Sequence, residues 1–128
     1  SFEKLITQSD IISIHVPHTK ETDHMFDMKI FRKMKKSAFL INTSRGKIVN
    51  EKDLVTALKK KMIMGAGLDV FETEPISKKH PLVKLQNVVL APHIGSSTKE
   101  TRIKMAEITV KNLNLGMSGK KPIYSVGY

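Results

Sequence analysis

Four short apolar runs, separated by more polar segments, constrain the fold of this chain more than any other sequence feature. They cover residues 11–16, 38–42, 66–70 and 88–91. Each run contains Ile, Val or Leu and gives way to a proline or to polar residues, which predicts a buried strand. Strands with little polar alternation favour a parallel sheet, because helices cover both faces of such a sheet.

Helix signals occupy two of the gaps between these runs. Asp27 is a candidate N-cap of one helix, and Asn50 of the next, with Asp53 in the first turn of the second helix. Gly65 is predicted to end that second helix. The apolar faces would consist of Met28, Phe31 and Met34 in the first helix, and of Leu54, Leu58 and Met62 in the second.

The two ends of the chain also carry helix signals. Residues 1–10 are typical of the end of a helix that leads into the first strand. Ser97 and Glu100 have the S-x-x-E spacing of a capping box, which predicts a long helix at about 98–116. The strands and helices therefore alternate, which predicts an α/β fold with a parallel sheet and helices on both of its faces. The apolar side of the last helix would be Ile103, Ala106, Val110 and Leu113.

The charge of the chain is strongly positive. Among 128 residues, 22 Lys and Arg against 12 Asp and Glu give a net charge of +10. That balance suits an anionic cofactor or a nucleic acid. Aromatic residues make up only 5% of the chain and do not alternate with the lysines. We therefore expect a solvated, lysine-rich surface and no nucleic-acid partner.

Cysteine is absent from the chain, which excludes disulfides and thiolate metal sites. The histidines lack the spacing of a zinc site, so we expect no metal. No apolar stretch is long enough to span a bilayer, and the first ten residues do not have the pattern of a secretory signal. We expect a cytoplasmic protein without membrane contact.

Polar residues follow each predicted strand, at the end where open parallel sheets bind ligands. Arg45 follows the second strand, Asp69 and Glu74 lie at the end of the third, and His93 follows the fourth. Residues 15–19, after the first strand, include two histidines. Because an arginine, two acids and a histidine converge on one edge of the sheet, we predict an active site there.

The residue types at this edge restrict the chemistry. Arg45 offers a planar cation that can hold a carboxylate at two points. His93 is a titratable acid or base, and Glu74 could orient it and favour its protonated form. A Ser44 or Ser96 nucleophile with His93 is an alternative, but neither serine lies in a G-x-S-x-G elbow. The set favours proton exchange on a carbonyl or hydroxyl group next to a carboxylate.

Three longer stretches resemble one protein family. In order, LINTSRGKIVNEKDLVTALKK, GAGLDVFETEP and NVVLAPHIGSST resemble the D-isomer-specific 2-hydroxyacid dehydrogenases. The segment DIISIHVPHTKET is similar to the part of that family that precedes the first of them. The resemblance covers nearly the whole chain. It implies a Rossmann-type NAD(P)-binding domain and the reduction of a 2-oxo acid, such as glyoxylate or hydroxypyruvate, with NADH or NADPH.

The resemblance also implies a role for each matching residue. Arg45 would bind the carboxylate and carbonyl oxygen of the substrate, and His93 would give a proton to that carbonyl. Glu74 would hydrogen-bond His93 and keep it protonated. We expect Ser96 to contact the substrate as well. The cofactor would be lined by Pro17, Thr43, Asp69 and Gly95, with Asp69 beside the nicotinamide carboxamide.

The chain departs from the family pattern in two respects. Residues 1–128 contain no G-x-G-x-x-G phosphate-binding turn, and they do not include the substrate domain that the resemblance implies. We expect residues 1–128 to be the C-terminal part of the dinucleotide-binding domain, with the long last helix returning towards the substrate domain. On its own the chain is expected to bind NADPH weakly or not at all. Calorimetry that gave a micromolar affinity would contradict this expectation.

Two further consequences of the resemblance concern partners. Family members are commonly dimers, so a homodimer is expected. Some relatives act as corepressors that sense a dinucleotide and bind proteins, which makes a binding module without turnover the alternative function. The combination of Arg45, Glu74 and His93 favours the enzyme, because a binding module does not need all three.

Overall fold

The computed structural model describes residues 1–125, in which helices and strands alternate. Two 3-10 turns, Gly46–Ile48 and Pro81–Lys84, lie between them. Residues 1–93 form one compact unit, and the residues from Ile94 onward form a second. The helices are α1 (Phe2–Gln8), α2 (Met28–Phe31), α3 (Glu51–Lys59) and α4 (Lys99–Met117), and the strands are β1 (Ile11–Ile14), β2 (Phe39–Asn42), β3 (Gly65–Leu68) and β4 (Val88–Leu90).

The four strands lie side by side in chain order, and every neighbouring pair is parallel. Their register aligns Ile14, Asn42, Leu68 and Leu90 in one row. The strands therefore end at the same level, and the residues that follow them meet at one edge of the sheet. The predicted α/β fold with a parallel sheet is confirmed.

Within residues 1–93, one face of the sheet is buried and the other is largely exposed. Ile12, Ile14, Leu40 and Leu68 are at most 5% exposed and share one hydrophobic core with residues of α1, α2 and α3. Val89, on the opposite face, is 74% exposed. The helices of this unit thus cover one face rather than both. Because strand order follows chain order, right-handed crossovers place all the connections on the same side.

Side-chain caps start α2 and α3 where the sequence predicts them. Asp27 Oδ1 accepts hydrogen bonds from the backbone N–H groups of Lys29 and Ile30, at 2.9 and 3.1 Å. Asn50 Oδ1 accepts one from the backbone N–H of Asp53 at 3.1 Å. Such caps satisfy donors that the first turn of a helix leaves without partners. Both predicted helix starts are confirmed.

The end of α3 lies earlier than the sequence predicts. The helix ends at Lys59, and Lys61 then takes a left-handed conformation with a φ of 51°. Gly65, predicted to end the helix, is instead the first residue of β3. A Cβ at Gly65 would lie 2.9 Å from the carbonyl oxygen of Asn87. The residue is therefore small because the neighbouring backbone approaches it closely.

Helix α4 is capped by Thr98, and the prediction that Ser97 caps it is wrong. Thr98 Oγ1 accepts a hydrogen bond from the backbone N–H of Thr101 at 3.2 Å. Ser97 Oγ instead accepts one from Arg102 Nη2 at 2.7 Å.

None of the helices in residues 1–125 has the length and apolar character needed to cross a bilayer. Three residues of the predicted apolar side are at least 50% exposed: Ile103, Val110 and Leu113.

Gly46 packs directly against the backbone of another loop. A Cβ at Gly46 would lie 1.9 Å from the carbonyl carbon of Phe71 and 2.5 Å from the backbone nitrogen of Glu72. We expect Gly46→Ala to lower the free energy of unfolding by about 2 kcal/mol or more, because the two backbones must move apart. Urea unfolding followed by circular dichroism measures this change.

Gly116→Ala is the matched control for this substitution. Among the described residues, and apart from its chain neighbours and the backbone of its own helix, no atom lies within 4 Å of a Cβ built at Gly116, which is part of α4. Alanine favours a helix over glycine by up to about 1 kcal/mol. We therefore expect Gly116→Ala to cause no loss of stability. Equal losses in the two variants would contradict the close contact at Gly46.

Candidate active site

Side chains that follow the four strands meet in an open groove at the carboxyl edge of the sheet. The groove has a volume of about 800 Å³, which is within the range of small-molecule sites. It brings the predicted cation, carboxylate and imidazole together, as the parallel strand order requires. The predicted site residues that line it are Pro17, Arg45, Glu74 and His93.

A hydrogen-bonded turn after β2 holds the backbone of Arg45. Asn42 is 1% exposed, and its Nδ2 donates to the carbonyl oxygen of Arg45 at 3.0 Å. Asn42 Oδ1 accepts from the backbone N–H of Ser44 at 3.1 Å, and Ser44 Oγ donates to the carbonyl oxygen of Val16. Arg45 itself is exposed, with Nη1 donating to the carbonyl oxygen of Ser44 at 2.7 Å. A fixed backbone thus presents an exposed cation with N–H donors suited to an anionic ligand.

His93 and Glu74 form a hydrogen-bonded pair in the groove. His93 Nδ1 lies 2.7 Å from Glu74 Oε2, and 52% of the His93 side chain is exposed. Because the partner of Nδ1 is a carboxylate, Nδ1 is assigned a proton, and Nε2 is the ring nitrogen that can exchange a proton with a ligand. The Glu74 carboxylate also places a negative charge beside the ring.

The backbone of His93 has an uncommon conformation. Its φ is 55°, in the left-handed region that residues other than glycine rarely adopt. Holding such a residue costs about 1 kcal/mol or more, and conformations of this kind are concentrated at functional sites. His24 and Lys61 have similar φ values of 48° and 51°, so the functional argument for His93 depends on its bond to Glu74 and not on its backbone alone.

Glu74 is held as a carboxylate by two hydrogen bonds. The bond from His93 is the larger cause of a lowered Glu74 pKa, and the bond from the backbone N–H of Phe71 to Oε1, at 3.0 Å, is the next. Glu74 is therefore negatively charged at neutral pH. The Phe71 bond also fixes the direction in which Oε2 points.

The lowered pKa of Glu74 gives a prediction for pH dependence. His93→Ala should raise the Glu74 pKa towards its ordinary value of 4.5, because it removes the larger cause. The rise should be incomplete, because the Phe71 bond remains. In the unsubstituted chain the pair stabilises the fold above pH 4.5, and this contribution is lost as the pH falls through the lowered pKa. Carboxyl ¹³C NMR titration measures the shift, and an unchanged Glu74 pKa would contradict it.

The other predicted site residues do not line the groove. Thr43 follows β2 and is exposed, and Asp69 follows β3 and is 7% exposed. Gly95 and Ser96 belong to the unit that begins at Ile94, so they are not part of the groove in residues 1–93. The roles assigned to these four residues stay predictions.

Several groove residues were not assigned a role from the sequence. Among them, His18 has its Nε2 2.7 Å from Asp23 Oδ1. This hydrogen bond lowers the pKa of Asp23. Asn42, at the end of β2, and Gly46, which follows Arg45, indicate a turn in the sequence. The sequence does not show which residues that turn contacts. These additional lining residues are His15, His18, Ser44, Gly46, Lys47, Phe71 and Glu72.

Comparison with known proteins gives the family of the chain. Residues 1–95 match the family model described as D-isomer specific 2-hydroxyacid dehydrogenase, NAD binding domain. The chain belongs to this family. The resemblance found in the sequence is confirmed, and with it the Rossmann-type character of the parallel sheet.

Individual members of the 2-hydroxyacid dehydrogenase family match over most of the chain. A glyoxylate reductase from Thermofilum pendens is 54% identical over 120 residues, which are 94% of this chain and 35% of that protein. Glyoxylate/hydroxypyruvate reductase B from Cronobacter sakazakii is 50% identical over 91% of this chain and 36% of its own length. The chain thus spans about a third of the length of these relatives.

A solved structure from the same family shows the same fold. D-lactate dehydrogenase with NAD⁺ from Lactobacillus jensenii superposes with a TM-score of 0.91 at 31% identity. The match covers 100% of this chain and 42% of that protein.

Proposed function

We propose that the chain is part of an NAD(P)H-dependent reductase that converts a 2-oxo acid, glyoxylate or hydroxypyruvate, to the D-2-hydroxy acid. The observation that carries this proposal is the His93–Glu74 pair in the same groove as the exposed Arg45. The names of the two similar reductases support the choice of substrate.

In this proposal Arg45 binds the substrate. Its guanidinium grips the carboxylate of the 2-oxo acid through two parallel N–H donors. The hydrogen bonds of Asn42 fix the turn that carries the Arg45 backbone. Once Arg45 binds the substrate carboxylate, the neighbouring carbonyl group of the substrate therefore has a defined position. Fixing the reacting group in this way removes part of the entropic barrier to reaction.

His93 supplies the proton. Its Nε2–H donates to the carbonyl oxygen, and the proton is transferred as negative charge develops on that oxygen. Glu74 holds the ring through Nδ1 and compensates the positive charge of the imidazolium before the transfer. After the transfer His93 is neutral, and a proton from solvent restores it.

The groove suits a nicotinamide cofactor. It lies beyond the carboxyl ends of parallel strands, where open α/β sheets bind dinucleotides. When bound, the reduced nicotinamide supplies the hydride that reduces the carbonyl carbon. We assign Pro17, Thr43, Asp69 and Gly95 to cofactor contacts and Ser96 to a substrate contact by family resemblance. The cofactor is NAD or NADP.

We also propose that the enzyme is a cytoplasmic homodimer. This part of the proposal rests on the family alone. Sedimentation equilibrium of the natural polypeptide that carries these 128 residues measures the oligomeric state, and a monomer at micromolar concentration would contradict it.

A turnover assay with the natural polypeptide tests the proposed function. We expect oxidation of NADH or NADPH that requires glyoxylate or hydroxypyruvate, with D-glycerate as the product of hydroxypyruvate. Chiral chromatography identifies the product, and an L-product would contradict the stereochemistry. Dinucleotide binding without any turnover would instead support the alternative, a dinucleotide-sensing, corepressor-like binding module.

A further inference from the structure

A second cluster of ionisable side chains lies behind the loop that carries Glu74. Glu51, the first residue of α3, accepts a hydrogen bond at Oε1 from the backbone N–H of Glu72, at 2.7 Å. Glu72 Oε1 accepts one from the backbone N–H of Glu51, at 2.9 Å. This reciprocal pair of bonds ties the start of α3 to the loop that follows β3.

His80 supports the other oxygen of the Glu51 carboxylate. His80 Nε2 lies 3.2 Å from Glu51 Oε2, while Nδ1 accepts a hydrogen bond from the backbone N–H of Leu82 at 3.3 Å. A ring nitrogen that accepts carries no proton, so Nε2 is the ring nitrogen that carries the proton, and it faces Glu51 Oε2 at an ion-pair distance. Both carboxylate oxygens of Glu51 are therefore engaged.

The Glu51 side chain is only 12% exposed. Burial is the main cause of its raised pKa, with smaller contributions in the same direction from the charges of Glu72 and Glu74. The hydrogen bond from Glu72 N–H and the proximity of His80 act in the opposite direction. On the far side of Glu72, His24 Nε2 lies 3.3 Å from Glu72 Oε1.

A helix cap does not explain why a carboxylate is buried at this position. Asn50 already caps α3 by accepting from the backbone N–H of Asp53. Burying a charged group is unfavourable unless it is hydrogen-bonded. Glu51 directs its bonds outside its own helix, to the Glu72 loop and to His80. The Glu51 carboxylate therefore acts on the loop that contains Glu72, and not on its own helix.

The peptide that joins Phe71 to Glu72 is held from two sides, by Gly46 and Glu51, and Glu74 holds the peptide that precedes it. Gly46 approaches the Phe71–Glu72 peptide so closely that a Cβ would lie 1.9 Å from the Phe71 carbonyl carbon. Glu51 binds the N–H of Glu72, and Glu74 Oε1 binds the N–H of Phe71 at 3.0 Å. Glu74, which accepts from His93 through its other oxygen, is thus anchored to the same loop as Glu51, one peptide before the peptide that Glu51 binds.

We propose that Glu51 is a positioning residue for the Glu74–His93 pair, because it holds the Glu72 N–H and so fixes the loop that directs Glu74 to His93 Nδ1. Glu51 lies in the first turn of α3 and does not line the groove. The importance of this positioning for a reaction rests on the proposed function. The geometric part of the proposal does not, and it can be measured without substrate.

NMR of the 128-residue chain tests the geometric part with two variants. Glu51→Gln removes the charge but keeps an oxygen that can accept from Glu72 N–H, whereas Glu51→Ala removes both. We expect hydrogen exchange of the Glu72 amide to be about tenfold faster in Glu51→Ala, since it loses its hydrogen-bond acceptor. We also expect a higher Glu74 pKa in Glu51→Ala than in Glu51→Gln, because only the alanine variant releases the loop.

Asp53→Ala is the matched control. Asp53 is the other acid in the first turn of α3, but its Oδ2 accepts from the backbone N–H of Met28, away from the Glu74 loop. We expect this variant to leave the Glu74 pKa unchanged. Glu51→Asp, with a side chain too short to keep the same reach, replaces the alanine variant if that variant does not fold. The same Glu74 pKa in the glutamine variant and in the shortened variant would overturn the proposal.

Turnover separates this proposal from the proposed function. In the natural polypeptide, Glu51→Ala should lower kcat about tenfold with little change in KM, and Glu51→Gln should restore most of the loss. An unsubstituted protein without turnover would refute the proposed function, while the NMR comparison would still decide the positioning role. Loss of kcat to the same extent in both variants would mean that the charge of Glu51, and not its hold on the loop, is required.

Discussion

Replacing His93 with alanine should lower kcat for hydroxypyruvate reduction by about 10²–10⁴-fold, the range for loss of a positioned general acid. The reason is the arrangement of the ring: Nδ1 is bonded to Glu74 at 2.7 Å, so Nε2 is the nitrogen that the proposed function assigns to proton delivery. We expect a smaller change in KM, because under the proposed function the exposed Arg45, and not His93, supplies the charge for the substrate. Single-turnover kinetics of the natural polypeptide measures the chemical step directly.

Glu74→Gln is the informative companion to His93→Ala. Glutamine can still accept a hydrogen bond from Nδ1, but it lacks the negative charge that stabilises the imidazolium. We expect a smaller loss of kcat, about 10-fold to 100-fold. An unchanged rate of the chemical step in His93→Ala would refute the role of His93 as proton donor.

The meeting of Arg45, Glu74 and His93 could be predicted from the sequence because it depends on two simple rules. Apolar runs mark the strands, and parallel strands present the residues that follow them at a single edge. The observed register, which aligns the four strand ends, is what makes the second rule hold here. The approximate positions of these three residues along the chain were enough to place them in the groove, but the same rule also placed Asp69 there, and Asp69 is 7% exposed and does not line the groove.

Features that depend on a single residue or on distant neighbours could not be predicted in this way. Ser97 and Thr98 are adjacent hydroxyl residues that can both cap a helix, and only the backbone geometry selects Thr98. A glycine after an apolar helical pattern, such as Gly65, is typical of a helix end. Its small size is instead required by the carbonyl oxygen of Asn87, 22 residues later in the sequence. The burial of a single face in residues 1–93 follows from strand order, which the apolar pattern does not contain.

The supporting residues of the site were missed for the same reason. Asn42 and Gly46 appear in the sequence as ordinary turn residues after a strand. Their importance comes from the contacts they make: Asn42 with the Arg45 backbone, and Gly46 with the Phe71–Glu72 peptide. Glu51 is similar, since an acid in the first turn of a helix is expected from the helix dipole alone. Its bond to the Glu72 N–H depends on a loop that no local pattern places beside it.

Removing the charge of Arg45 should give the second large effect. We expect Arg45→Gln to lower kcat/KM for hydroxypyruvate by about 30-fold to 150-fold, since a hydrogen bond to a charged group contributes about 2–3 kcal/mol. Arg45→Lys should lose less, about tenfold, because lysine keeps the charge but cannot bind the carboxylate at two points. Steady-state kinetics of the natural polypeptide and of both variants measures the series.

A neutral substrate separates carboxylate binding from other effects of Arg45. A hydroxyketone without a carboxylate should be a poor substrate for the unsubstituted enzyme, and Arg45→Gln should leave its kcat/KM nearly unchanged. The turn after β2 should survive the substitution, because Asn42 binds the backbone carbonyl of residue 45 and not its side chain. If Arg45→Gln lowers kcat/KM equally for the charged and the neutral substrate, Arg45 acts on the fold or on the cofactor. Its assignment to the substrate carboxylate would then be wrong.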